Sequence, residues 1–197
     1  MIDIKLLKNG DNILVHSKGL SPTSIAIREL TESYWNHASK FYWEGDNGVV
    51  VEALFGGVVI TSIEKYLNEK KFDIKVVRLR PEAFKNEQEY EDGLQTARMR
   101  IYNQVGKKYD FGAITWLAMK YLWKTSWKKA KKYIRFNPFE SREKFFCSEL
   151  VCQADYEISS LYPFLYRGNT KSKCDTTTPR DIAKSKNCEY ILGVDLI

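Results

Sequence analysis

Apolar positions along the chain change period several times, and each change marks an element. "DNILVHS" holds Ile13, Leu14 and Val15 in one unbroken run and predicts a first strand, Asn12 to His16. In "LSPTSIAIRELTES", Ser21 stands as an N-cap with Pro22 at the first helical position, so a helix to about Thr31 follows. The "GDNG" of "NHASKFYWEGDNGVVVEALFGGVVI" is a turn signal between two β-prone runs and predicts a hairpin. "TSIE", Thr61 to Glu64, has capping-box spacing and opens a short helix through Leu67. "FDIKVVRLRP" reads as a strand stopped at Pro81. Leu94, Ala97, Ile101 and Val105 recur at helical spacing ahead of Gly106, a C′ candidate. A further helix is expected over about Ala113 to Tyr133. Another begins near Cys147, with Leu150, Val151, Ala154, Ile158 and Leu161 on one face. "TTTPRDIAKS" predicts a short capped helix and "YILGV" a closing strand. With no repeats and no low-complexity linker, the expectation is one α+β domain over residues 1–197.

Composition narrows the class. Apolar residues make up 44% and aromatics 14% of the 197 residues, enough for a packed core and too much for disorder. No apolar run approaches the ~20 residues of a membrane span. "MIDIKLLKNGD" lacks the apolar core of a secretory signal, so the chain as encoded is expected to be soluble and cytoplasmic. Cys147, Cys152, Cys174 and Cys188 form no C-x-x-C pair, and neither a zinc site nor a disulfide framework is expected from them. Cys152, Cys174 and Cys188 read as small buried hydrophobes or inert thiols.

The net charge of +6 is local. Residues 111–139 carry seven Lys/Arg and no Asp/Glu, leaving 24 basic against 25 acidic residues elsewhere. Within that stretch Trp116, Trp123 and Trp127 alternate with Lys120, Lys124 and Lys128 at helical spacing. Such a segment, over about residues 116–135, suits contact with an anionic membrane surface. A tryptophan stripe packed on the core beneath solvated lysines is the favoured reading of the same pattern. A nucleic-acid partner is the weaker reading, because the remaining charge is balanced.

Phosphate-loop, dinucleotide, metallohydrolase and serine-elbow motifs are all absent, and no cofactor or metal is expected. One thiol and one imidazole remain. Cys147 opens an amphipathic helical pattern, where unpaired backbone N–H groups favour a thiolate and can hold an oxyanion. A histidine from another element would then activate the thiol. Taken alone, Cys147 and His37 each read first as buried structural residues, and His16, inside the first strand, more so; spacing does not settle it.

The order of motifs adds information. "GDNILV", "WNHASKF", "VVVEALFGGVV", "VGKKYDF", "FFCSELV" and "TTTPRDIAKS" resemble, in that order, the circularly permuted papain-like amidases, the YiiX-like branch of the NlpC superfamily. The resemblance runs from about Gly10 to Ser185. It implies an antiparallel sheet packed against helices and a cysteine hydrolase cleaving an amide, in a cell-wall-like or other short peptide. Cys147 would be the nucleophile, forming a thioester, His37 the general base, and Glu52 the residue that orients the ring. Tyr109 matches a tyrosine near the family's cleft and is a candidate substrate contact, although a core tyrosine is the ordinary alternative; Asp110 is a cap candidate. Asn36 stands where the family usually has serine, and Lys40 interrupts an apolar strand face.

The position of Glu52 is in tension with the hairpin. A turn centred on Asp46 and Asn47 puts Phe55 or Gly56 opposite His37 and leaves Glu52 ~10 Å away, unless the hairpin splays or bulges. An ordinary solvent-facing carboxylate is then the alternative. Two rival functions stay in view. One is a lipid-directed thiol acyltransferase at a membrane, resembling the lecithin retinol acyltransferase relatives. The other is a binding module without activity.

Overall fold

The computed structural model describes residues 3–19, 33–109, 144–145, 147–166 and 174–196. Among the described residues eight strands are β1 (Asn12–Ser17), β2 (His37–Glu44), β3 (Asn47–Leu54), β4 (Gly57–Ser62), β5 (Phe72–Leu79), β6 (Lys108–Tyr109), β7 (Lys144–Phe145) and β8 (Cys188–Gly193). Six of them form one antiparallel sheet in the order β4-β3-β2-β1-β5-β8, and β6 pairs with β7 in parallel. The α-helices among the described residues are α1 (Glu87–Tyr102), α2 (Cys147–Ala154) and α3 (Pro179–Ala183). This is the α+β architecture expected, a sheet packed against helices.

The sheet is buried on both faces at its centre, which explains the unbroken apolar runs. Leu14, Ala38, Tyr42, Val51, Ala53 and Val77 pack against Ala97 and Ile101 of α1, Leu150 and Val151 of α2, and Ile182 of α3. On the opposite face Ile13, Val15, Phe41, Val50, Ile74 and Val76 close a second core with Ile63 and Tyr66. Successive residues of a strand point to opposite faces, so a run such as Ile13-Leu14-Val15 feeds both cores at once. Burying each such side chain stabilises the fold by about 1.5–3 kcal/mol. The outer strands β4 and β8 are less buried than the central ones.

Several boundaries differ from the sequence expectation. The run after "GDNG" is two strands, because Phe55 and Gly56 turn the chain between Leu54 and Gly57. Gly57 has φ 124°, and a Cβ there would lie 2.4 Å from the Lys107 carbonyl. That carbonyl accepts from the Val58 N–H at 2.8 Å, and the Val58 carbonyl accepts from Gly106 at 2.8 Å. The chain thus leaves α1 at Tyr102 to pair with the β4 edge, and Gly106, at φ 88°, serves that turn rather than capping the helix. The turn after β4 is 3-10 rather than α, Ile63–Tyr66, and is capped by Ser62 instead of Thr61. Helix α2 ends at Ala154, short of the periodic face continued in sequence to Leu161, which is exposed. The closing helix has its capping box on Thr178 and Asp181. The helices expected near residues 21–31 and 113–133, Asp110, the Trp/Lys segment and the Tyr109 side chain lie outside the described residues. Among the described residues no helix is long and apolar enough to cross a membrane.

Candidate active site

The hairpin register decides where Glu52 falls. Glu44 pairs with Asn47 and Ser39 with Glu52, so the loop is Gly45 and Asp46. Gly45 has φ 60° at the first loop position, the requirement of a type II′ turn, which glycine meets without steric cost. Glu52 therefore lies two residues along β2 from the rung of His37, on the same face. Diagonal neighbours of this kind have Cα atoms about 7–8 Å apart, within reach of two long side chains. His37 Nε2 and Glu52 Oε2 are 2.6 Å apart. The tension seen in sequence came from the turn position, and no bulge is needed. The solvent-facing alternative for Glu52 is also corrected, since its side chain is fully buried.

Four side chains donate to that carboxylate. His37 and the Tyr66 hydroxyl reach Oε2; the Thr61 hydroxyl and Lys65 Nζ, at 3.2 Å, reach Oε1. Val59 is opposite Glu52 on β4, so Thr61 is its diagonal neighbour on that side, as His37 is on the other. Tyr66 and Lys65 come from the 3-10 turn, with Lys65 Nζ 4.8 Å from the centre of the Tyr66 ring. Burial pushes the Glu52 carboxyl up, but the hydrogen bond and charge of His37, with Thr61 and Tyr66, win and hold it at about 2. Tyr66 is pushed above the ordinary phenol range by burial and by the Glu52 charge. These three supporting residues escaped the sequence reading. For Thr61 the signal was present in the diagonal spacing on β4, but only after the "FGG" turn is recognised; Lys65 and Tyr66, on the 3-10 turn, carried no such spacing.

Cys147 reaches the other side of the ring. It is the first residue of α2 and 4% exposed. The β2–β3 ladder ends at Ser39–Glu52, two residues short of the start of β2. The helix start faces this opening, and the Ala38 N–H donates to the Cys147 sulfur, as does the Ser148 N–H. His37 hydrogen-bonds Cys147 as well as Glu52. With Nε2 at Glu52, Nδ1 is the nitrogen left for the sulfur. Burial opposes charge on both partners. The hydrogen bonds to Cys147 and Glu52, together with their charges, nevertheless raise His37 to about 10. The Cys147 thiol is lowered despite burial by His37 and by the two backbone donors. Cys188, also buried, shows the contrast: without an imidazole partner, burial pushes it up to about 12. The contacts shift both partners toward their charged forms, Cys147 toward thiolate and His37 toward imidazolium.

The remaining cysteines require a correction. Cys152 and Cys174 are joined in a disulfide with Cα atoms 5.4 Å apart, leaving Cys147 and Cys188 free. Their 22-residue separation falls outside any short sequence motif, and only the packing of Cys174–Thr176 beside α2 brings them together. The same segment holds α2 through Ser148 Oγ, which donates to the Thr177 carbonyl at 2.7 Å. His16 is placed apart from this chemistry, its Nδ1 2.7 Å from the Tyr34 carbonyl and its ring stacked on Tyr34 at 4.0 Å.

A cysteine at a helix start, facing a strand histidine whose far nitrogen meets a buried carboxylate, has the geometry of a nucleophile, a base and a group that orients the base. Here histidine precedes cysteine in the chain. Residues 6–192 match the permuted papain-like amidase enzyme family, YaeF/YiiX, C92, and the chain belongs to that family. The fold is similar to the crystal structure of metalloprotein yiiX from Escherichia coli O157:H7, with a TM-score of 0.60. The two are 18% identical, over 95% of this chain and 97% of that one. No curated protein matches the chain significantly. At family level the activity class is a cysteine amidase.

Proposed function

We propose that the chain hydrolyses an amide bond in a short peptide by covalent catalysis on Cys147. The observation that carries this reading is the double engagement of His37, bonded to Cys147 on one side and to buried Glu52 on the other. The Cys147 thiolate attacks the amide carbonyl carbon, and the oxyanion forms at the N-terminal N–H groups of α2. The His37 imidazolium gives its proton to the amine as the C–N bond breaks, leaving a thioester. Neutral His37 then takes a proton from water, hydroxide adds to the thioester, and the acid departs as the thiolate re-forms. Glu52 holds the ring and stabilises its charged form. No group of three or more His, Cys, Asp or Glu among the described residues could hold a metal, and no step is routed through one.

The test is acid-quenched mass spectrometry of the full chain after mixing with a panel of short peptide amides. Expected is a mass increment equal to the acyl fragment, mapped to Cys147 and absent in Cys147→Ser. An acyl adduct from phospholipid vesicles alone would instead support the lipid-directed reading. No adduct from either, with Cys147 intact, would favour a binding module.

A further inference from the structure

Lys40 is fully buried on a face otherwise lined by Ala38 and Tyr42. Its Nζ lies 2.9 Å from Asp155 Oδ2 and 3.0 Å from the Gly10 carbonyl. The same Asp155 oxygen accepts from the Tyr166 hydroxyl, which in turn accepts from Asn12 Nδ2 at 2.8 Å. Asn12 is the β1 residue opposite Lys40, so the network runs from β1 through β2 to the end of α2. Asp155 directly follows Ala154, the last residue of α2, and its N–H still donates to the Val151 carbonyl at 3.2 Å.

Lys40 lies in the strand that carries His37, and Asp155 directly follows the helix that carries Cys147. Lys40 lies three residues beyond His37 on β2, about 10 Å along the strand. Asp155 lies eight residues beyond Cys147, about 12 Å along the helix axis. Helix α2 therefore meets β2 at two points, the Cys147–His37 contact near one end and the Lys40–Asp155 contact near the other. Burying two charges in a core is not needed for stability, since apolar residues of similar volume usually serve as well. What an ion pair adds is direction. An apolar contact holds a helix against a sheet but tolerates small axial shifts, and about 1 Å at a reactive pair is enough to cost on the order of 100-fold.

We propose that Lys40 and Asp155 are positioning residues whose buried ion pair fixes the axial register of α2 on β2, and with it the approach of Cys147 to His37. The inference rests on the thiol–imidazole reading above. Neither residue touches the reacting atoms.

The test compares the wild type with two variants by pH-dependent labelling with limiting iodoacetamide, at a temperature well below each melting point. Lys40→Met strands the Asp155 charge and is expected to lose stability. The matched apolar pair, Lys40→Met with Asp155→Leu, removes both charges and is expected to recover most of the wild-type melting temperature. Expected is that this folded double variant labels Cys147 at least tenfold more slowly than wild type at pH 6. Its labelling midpoint should move up by a pH unit or more. A folded double variant with the wild-type pH profile overturns the proposal, leaving the ion pair a feature of the fold alone. A wild type that shows no low-pH labelling of Cys147 overturns the thiol–imidazole reading itself, and this inference with it.

Discussion

Glu52→Gln is the sharpest perturbation of the site, because glutamine keeps the shape of the protonated acid and removes only its charge. The carboxyl is held at about 2, against an ordinary 4.5, within a fully buried environment. That difference converts to about 3 kcal/mol of folding stability at neutral pH, using 1.36 kcal/mol per unit. A lowered carboxyl stabilises the fold above its unfolded value of 4.5, and the contribution fades as pH falls toward 2. At pH 3 linkage leaves roughly 1.4 kcal/mol of it. Raised His37 has the opposite sense: its contribution is complete below 6.5 and is lost as pH rises through about 10. Both are therefore present in full between pH 4.5 and 6.5. The assay is urea unfolding of wild type and Glu52→Gln at pH 7, 5 and 3, followed by the fluorescence of buried Trp35 and its neighbours. Expected is a destabilisation of about 3 kcal/mol at pH 7 and 5 that falls to less than half at pH 3. A difference of under 1 kcal/mol, or one independent of pH, would refute the claim that Glu52 is a buried carboxylate sustained by His37.

Three further outcomes are expected. Tyr66→Phe removes one donor to the Glu52 carboxylate; stability should fall by about 1.5–3 kcal/mol at pH 7, and the acid limb of the stability profile should move to higher pH. Reduction of the Cys152–Cys174 disulfide opens a 22-residue loop; thermal unfolding with and without reductant should differ by about 3 kcal/mol, and Cys152→Ala should abolish the difference. Gly57→Ala places a Cβ against the Lys107 carbonyl at a φ of 124°; a melting-temperature drop equivalent to more than 1 kcal/mol is expected, and an unchanged melting curve would contradict the close approach of residue 107 to β4.

The fold was legible where burial imposes a period. Strands β1, β5 and β8 and the capped helix α3 fall where the apolar runs and the "TTTPRDIAKS" segment put them. Boundaries went astray where long-range pairing overrides local signals: after Tyr102 the chain turns, and the β4 edge takes up the Gly106 N–H and the Lys107 carbonyl. The hairpin is more instructive. "GDNG" offers turn-prone residues at every position, so local chemistry does not choose a centre. The strands choose it, and the choice moves Glu52 from out of reach to 2.6 Å from His37. Lys40 looked like an intrusion into an apolar face because its partner lies 115 residues further on. The disulfide was hidden for the same reason. Cysteine and histidine were visible as candidates, but nothing local could show that they meet; the order of motifs carried that expectation, and the opening of the β2–β3 ladder gives it a physical basis.

The central claim is that His37 turns Cys147 into a thiolate. The direct measurement is competitive labelling of the folded full chain with limiting iodoacetamide between pH 4 and 10, read peptide by peptide by mass spectrometry, for wild type and His37→Ala. Expected is labelling of Cys147 well below the ~8.5 of an ordinary thiol, with Cys188 silent, and loss of that low-pH reactivity in His37→Ala. Labelling of Cys147 that titrates like an ordinary thiol, or that is unchanged in His37→Ala, would contradict the claim.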